Sequence, residues 1–182
     1  MPNPRVSRFS ILTLFALMVP AILGGNDTRA VDLPFKDLKG QKVRLRDYRG
    51  KVVVLNFWAT WCLPCRAEMP MLAEVEREYA KRGVVFLAAS IDERQDRPQI
   101  PDFVTRFNIA FPVVVGASVL DLEDLKLGQA IPATAFLDKQ GRVVARVLGQ
   151  MSREQLAERL DWLTGEAKGP APNPLLRNLG EK

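Results

Sequence analysis

One stretch of this 182-residue chain specifies its architecture, namely Phe57-Trp58-Ala59-Thr60-Trp61-Cys62-Leu63-Pro64-Cys65. It contains the two cysteines of the chain, two residues apart, and it overlaps the end of an apolar run over residues 52–57. Such a run is typical of a buried strand in a parallel sheet. A Cys-X-X-Cys pair at a strand-to-helix turn can close into a disulfide and reopen, so the spacing predicts a redox-active pair.

Two other interpretations of the cysteine pair have less support. Structural zinc takes about four nitrogen, sulfur or oxygen ligands, and the sequence has neither a second cysteine pair nor a histidine. A purely structural disulfide is also disfavoured, because closing so short a loop removes little entropy from the unfolded chain. The two cysteines therefore indicate thiol–disulfide chemistry.

Composition and charge are those of one ordinary domain. The hydrophobic fraction of 47% is sufficient for a single core. The formal net charge is +5, and residues 1–30 contribute three basic side chains and one acidic side chain. The remaining 23 basic and 20 acidic side chains form no block of like charge. Nothing in this distribution favours a nucleic-acid partner.

Residues 1–30 indicate export. Arg5 and Arg8 precede a mostly apolar run from Ile11 to Leu23, which is the pattern of a secretory signal. The alternative is a retained membrane anchor over residues 9–25, which as a helix would be about 25 Å long and shorter than the ~30 Å hydrocarbon core of a bilayer. Signal cleavage and retention both stay open. Either case predicts a periplasmic or other extracytoplasmic domain, soluble or anchored in the inner membrane.

The rest of the chain predicts an α/β domain over residues 31–166. Period-two patterns and apolar runs predict six further strands, at residues 33–38, 43–45, 84–91, 111–115, 133–137 and 142–148, the last two forming a hairpin around a turn at 138–141. Helical spacing predicts helices through Leu72, Phe103 and Leu160. This order predicts a sheet covered on both faces, with the cysteines at the carboxyl end of a central strand. Residues 167–182 are proline-rich and without periodicity, so a flexible tail is predicted there.

A family resemblance agrees with this architecture. Residues 56–70, from Asn56 to Pro70, resemble the active-site segment of exported thioredoxin-like proteins of the TlpA/ResA type, which are related to the AhpC/TSA proteins. Residues 130–134, Ala-Ile-Pro-Ala-Thr, resemble the cis-proline segment of the same group. The resemblance extends from about Leu33 to Leu163. It implies a thioredoxin fold, with a central mixed β-sheet flanked by helices on both faces and an N-terminal β-hairpin extension.

The resemblance also implies site residues. Cys62, at the start of the helix, is expected to be the attacking thiolate, because the helix N-terminus favours negative charge. Cys65 is expected to resolve the mixed disulfide. Pro132, if cis, would place its neighbouring backbone beside Cys62 for substrate binding, with Ile131 and Trp61 as further substrate contacts. The alternative for Pro132 is a proline that only begins a strand.

Two polar residues near the cysteines in sequence, Glu68 and Asn56, bear on the acidity of the thiols and on proton transfer. Glu68, one turn after Cys65, is either a solvated helix-face residue or a carboxylate that influences the acidity of the thiols. Asn56 occupies a position where cytosolic thioredoxins usually have a buried aspartate. Because asparagine does not titrate, proton transfer would fall to Glu68 or to water.

The function that follows is a protein-disulfide oxidoreductase, expected to reduce disulfides, for example in cytochrome c maturation. It needs no cofactor, but it needs protein thiol or disulfide substrates and a membrane electron donor to reduce the pair again. A thiol peroxidase is an alternative, although Ala59 stands where that class requires threonine. A Cu(I) chaperone, holding the metal by Cys62 and Cys65, and a non-catalytic binding module are the other two.

Overall fold

The computed structural model describes residues 29–179. The strands are β1 (Pro34–Asp37), β2 (Lys42–Arg44), β3 (Val52–Trp58), β4 (Val84–Ser90), β5 (Val113–Val115), β6 (Ala133–Leu137), β7 (Val143–Gly149) and β8 (Leu175–Asn178). The helices are α1 (Leu63–Tyr79), α2 (Ile100–Arg106), α3 (Val119–Asp124) and α4 (Arg153–Thr164). All eight strands form one sheet in the order β2-β1-β5-β4-β3-β6-β7-β8.

Strand β3 lies at the centre of this sheet and is buried along its whole length. It runs parallel to β4 and antiparallel to β6. Its side chains alternate between two hydrophobic clusters, with Val54 and Trp58 on one face and Leu55 and Phe57 on the other. A strand that is apolar on both faces needs helices or loops over each face, which confirms the predicted central strand and covered sheet.

Helix α1 follows β3 after a four-residue loop and carries an apolar stripe against the sheet. Leu72 and Val75 belong to that stripe and are fully buried. Pro64 occupies the first turn, where its missing N–H has no partner to lose. Gly83, just before β4, has φ of 76°, a left-handed conformation that glycine adopts without steric cost. The chain therefore turns from α1 into β4 at Gly83.

Both predicted hairpins are present. Strands β1 and β2 pair antiparallel, and β1 also pairs with β5, so the N-terminal hairpin extends the sheet. Strands β6 and β7 pair antiparallel around Asp138–Gly141. Helix α4 begins with a capping box formed by Ser152 and Gln155. The mixed sheet, its helices and the hairpin extension together confirm the thioredoxin fold.

The predicted flexible tail over residues 167–182 is wrong in part, because its last described segment forms a strand. Residues 175–178 form β8, which pairs parallel with β7 at the edge of the sheet. Arg159 also holds this segment, because its buried guanidinium donates to the carbonyl of Asn173 at 2.9 Å. The strand forms because β7 offers an unpaired edge. Since this cause lies elsewhere in the fold, the four residues of β8 do not reveal it.

The predicted signal or anchor lies outside the described residues, as do residues 180–182. Between residues 29 and 179, no helix is long and apolar enough to cross a bilayer.

Candidate redox site

The cysteine pair lies at the junction of β3 and α1, as predicted. Cys62 is the N-cap residue of α1, and Cys65 lies in the first turn. The two sulfurs form a disulfide, and both side chains are buried, with 5% and 1% of their surfaces exposed. The Sγ of Cys62 accepts a hydrogen bond from the backbone N–H of Cys65 at 3.3 Å. The sulfur of Cys62 therefore sits where helix N–H groups favour a negative charge.

A cis peptide bond between Ile131 and Pro132 forms the opposite wall of the site. The carbonyl oxygen of Ile131 lies 3.8 Å from the Sγ of Cys62. The carbonyl oxygen of Pro132 accepts a hydrogen bond from the N–H of Gly149 at 2.9 Å. The segment before β6 is thus fixed to the last residue of β7, and the structure brings Pro132 and Ile131 beside Cys62.

Glu68, one helical turn after Cys65 on α1, is buried, with 2% of its surface exposed. One carboxylate oxygen accepts a hydrogen bond from Asn56 Nδ2 at 2.9 Å, and the other accepts one from the N–H of Met151 at 2.7 Å. Burial raises the pKa of Glu68 to about 7, against the two hydrogen bonds, which lower it. The alternative of a solvated helix-face glutamate is therefore wrong.

Asn56 connects Glu68 to the sheet. Its Nδ2 also donates to Thr134 Oγ1 at 3.0 Å, from β3 to the neighbouring β6. Its Oδ1 is buried and has no hydrogen-bond partner among residues 29–179. A rotation of the amide about χ2 would exchange donor and acceptor. Asn56 can therefore donate to the carboxylate form of Glu68 or accept from the protonated form.

A second buried carboxylate, Asp92, holds the loop before Cys62, and the sequence analysis missed it. Asp92 is 1% exposed and accepts hydrogen bonds from the N–H of Thr60 at 3.1 Å, from its hydroxyl at 2.6 Å and from Ser90 Oγ at 2.7 Å. The available signal was its position two residues after β4, at the carboxyl edge where β3 also ends.

The two tryptophans of the segment have different environments. Trp58 is fully buried, with its ring 4.5 Å from that of Phe103. Trp61 is 59% exposed and Leu63 is 72% exposed. These two side chains flank Cys62 in sequence, so they present apolar surface to solvent next to the reactive sulfur. Trp61 is therefore not part of the core and remains a candidate substrate contact.

No cluster of metal-binding side chains occurs in the described part of the chain, counting groups of three or more His, Cys, Asp or Glu residues. A buried disulfide at a helix N-terminus, a cis-proline beside it and a buried carboxyl one turn further along the helix together define a thioredoxin-fold redox site.

Comparisons with known proteins agree with this geometry. Residues 27–146 match the AhpC/TSA family. The thiol-disulfide oxidoreductase ResA of Geobacillus kaustophilus is 37% identical over 153 residues, which are 84% of this chain and 85% of that protein. ResA of Geobacillus thermodenitrificans is 39% identical over 132 residues, 72% of this chain and 74% of that protein. This chain belongs to the AhpC/TSA family and, with its Cys62–Cys65 pair, is a thiol–disulfide oxidoreductase.

Solved structures agree as well. DsbF of Mycobacterium tuberculosis, in mixed oxidised and reduced forms, is similar with a TM-score of 0.63 and 28% identity, over 72% of this chain and 94% of that chain. The exposed lipoprotein thioredoxin Etrx1 of Streptococcus pneumoniae has a TM-score of 0.62 and 28% identity, over 73% of this chain and all of that chain.

Proposed function

We propose that this oxidoreductase works outside the cytoplasm and reduces disulfides in protein substrates, with Cys62 as the attacking group. The observation that carries this proposal is the position of the Cys62 sulfur, at the N-terminus of α1 and 3.8 Å from the carbonyl oxygen of Ile131. The signal-like sequence over residues 1–30 supports the location. So does the similarity to an exposed lipoprotein of Streptococcus pneumoniae.

The reaction is two successive thiol–disulfide exchanges. In the reduced protein, the thiolate of Cys62 attacks one sulfur of the substrate disulfide, so that the substrate S–S bond breaks and a mixed disulfide forms. The first substrate sulfur leaves as a thiolate and takes up a proton. The thiolate of Cys65 then attacks the sulfur of Cys62, which releases the second substrate thiol. The substrate gains two electrons and two protons, and the Cys62–Cys65 pair is oxidised.

Glu68 is the proposed proton acceptor for the resolving step. It lies three residues after Cys65, which is one turn of α1. A carboxyl whose pKa is about 7 can both accept and release a proton near neutral pH. The asparagine at position 56 cannot take this role, because an amide does not titrate in this range. Glu68 supplies a titratable side chain one helical turn after Cys65.

The substrate is proposed to bind across Cys62. An extended segment would lie beside Pro132 and pair with the backbone of Ile131, where main-chain hydrogen bonds give affinity without sequence selectivity. The exposed side chain of Trp61 would cover the other side of the substrate. Such a site suits many protein disulfides, including those of apocytochrome c before haem attachment, and it requires a membrane dithiol donor to restore Cys62 and Cys65.

The decisive experiment is a substrate trap in the native host. Replacement of Cys65 by serine leaves the mixed disulfide on Cys62 unresolved, so covalent substrate complexes should accumulate outside the cytoplasm. Replacement of Cys62 by serine, the matched control, should trap none. A reduction potential near about −270 mV is expected for a reductant, whereas a value near −120 mV would mark an oxidant and overturn the proposed direction.

A thiol peroxidase is the second candidate, because the AhpC/TSA family match covers residues 27–146. The purified protein, supplied with a dithiol donor, is expected to leave peroxide unconsumed, since Ala59 offers no hydroxyl to a peroxide at Cys62. Turnover that depends on Cys62 would favour the peroxidase instead.

A further inference from the structure

The end of β7 and the loop after it connect three parts of the molecule through backbone groups of three consecutive residues, 149–151. The N–H of Gly149 donates to the carbonyl of Pro132 at 2.9 Å. The carbonyl of Gln150 accepts a hydrogen bond from Asn178 Nδ2 at 2.9 Å. The N–H of Met151 donates to Glu68 Oε2 at 2.7 Å. The cis-proline segment, strand β8 and the buried carboxyl of α1 therefore all meet at this loop.

The second and third of these bonds share a single peptide group. The carbonyl of Gln150 and the N–H of Met151 belong to the same amide, with Asn178 on its oxygen and Glu68 on its nitrogen. We propose that Asn178, the last residue of β8, is a positioning residue of the redox site, fixing the amide that binds Glu68. This inference deepens the proposed function and rests on the role given there to Glu68.

The side chain of Asn178 is well suited to hold this amide in place. It is half-buried, and the same Nδ2 donates to Gln155 Oε1 at 2.9 Å. Gln155 Oε1 also accepts from the N–H of Ser152, in the capping box of α4. The backbone of Asn178 is in register with Gly149 across the β7–β8 pair. One asparagine thus fixes both the loop and the first turn of α4.

Gly149 shows how closely β8 is fitted to this loop. Its φ is +91°, and a Cβ built there would lie 2.5 Å from the carbonyl oxygen of Asn178. Contact this close requires glycine, because any side chain would push β8 away. The approach of the tail to the loop is therefore specific to this backbone.

The hydrogen bond from Asn178 polarises the Gln150–Met151 amide and thereby affects the pKa of Glu68. A donor on the carbonyl oxygen makes the N–H of the same amide a better donor, which stabilises the carboxylate form of Glu68. The other groups around Glu68 are the neutral side chain of Asn56 on β3 and the two cysteines at the start of its own helix. No charged side chain among the described residues contributes to the pKa of Glu68. The Met151 amide is thus one of two hydrogen bonds that oppose the effect of burial.

The test compares the full-length oxidised protein with Asn178→Leu, which removes both donors at nearly constant volume. The carboxyl carbon of Glu68, followed by NMR through a pH titration, reports its pKa directly. We expect the pKa of Glu68 to rise by roughly half a pH unit, from the loss of polarisation of a charge-assisted bond. Arg177→Gln, at the exposed neighbouring position on β8, is the matched control and should leave the pKa unchanged.

Reduced protein gives the second readout, the titration of the Cys62 thiolate. With Glu68 neutral up to a higher pH, the thiolate is opposed by less negative charge, so its titration should move to lower pH in Asn178→Leu. In a Glu68→Gln background, the same substitution should have no effect on Cys62. A purely structural role of Asn178 would lower the melting temperature and move neither titration.

Asn178→Ser keeps a polar strand residue but cannot reach Gln150, and it serves if Asn178→Leu does not fold. An unchanged pKa of Glu68 in the folded variant overturns the inference. The proposed role of Glu68 fails separately, if Glu68→Gln alone leaves the Cys62 titration where it was. The carboxyl titration still measures the coupling to Asn178 in that case.

Discussion

Burial of Glu68 gives the protein a stability that depends on pH in a specified direction. The pKa of this carboxyl is raised from 4.5 to about 7, chiefly by burial. The folded state therefore keeps a proton that the unfolded chain has already released between these two pH values. Under linkage, the contribution of Glu68 to the free energy of unfolding is fully present below pH ~4.5 and is lost as pH rises through ~7.

The size of the effect follows from the shift. Each pKa unit corresponds to about 1.4 kcal/mol, so the shift from 4.5 to about 7 amounts to about 3 kcal/mol. A domain of ordinary stability, about 5–15 kcal/mol, would lose a substantial part of it in this range. Glu68→Gln removes the titration and keeps the length of the side chain. Asn56 can rotate its amide to accept from the new NH₂ group, because its Oδ1 has no partner in the described residues.

The assay is urea unfolding of oxidised wild type and Glu68→Gln, followed by tryptophan fluorescence at several pH values from about 4.5 to 8.5. Relative to wild type, the variant is expected to gain about 3 kcal/mol in unfolding free energy across this range. Glu76→Gln on the same helix, where the side chain is only half-buried, should run parallel to wild type. If the difference in unfolding free energy between wild type and Glu68→Gln is the same at every pH, Glu68 does not have a raised pKa in the folded state.

Three further predictions concern the surroundings of the site. Asp92→Asn places an NH₂ group among donors from Thr60 and Ser90, so unfolding free energy should fall by about 2–3 kcal/mol; a loss below about 0.5 kcal/mol in urea unfolding would argue against this. Gly149→Ala should release β8, seen as faster hydrogen exchange at residues 175–178 than in wild type; unchanged exchange would contradict the close fit. Tyr79→Phe removes the 2.7 Å bond to Asp161 and should cost about 1 kcal/mol in thermal unfolding. A tyrosine titration near pH 12 should also be absent from this variant. If the titration persists, it belongs to another residue.

Local patterns were enough to predict the frame of the molecule. The apolar run before Cys62, the proline after it and the capping box at Ser152 each act within a few residues, so the sequence displays them directly. These features placed β3, α1 and α4 correctly. The resemblance of residues 130–134 to a known segment added Pro132, which composition alone would not have singled out.

Long-range contacts account for what was missed. Strand β8 exists because β7 has a free edge, and Asp92 matters because Thr60, in the loop after β3, donates to it across 32 residues of sequence. Glu68 was left between two interpretations, since helical spacing gives its position along α1 but not what covers it. The covering group is a backbone amide of Met151, 83 residues away. Backbone groups carry no sequence signature, so no pattern could have shown it.

The pairing of β8 has a consequence for the order in which the protein is made. A chain that emerges from its amino end presents Cys62 and Cys65 more than a hundred residues before Asn178. Strand β8 runs parallel to β7, so it can dock only after α4 has crossed between them. The environment of Glu68 is therefore completed only after residues 175–178 have been synthesised and have paired with β7. Truncations that remove these residues would alter the redox site from more than a hundred residues away in sequence.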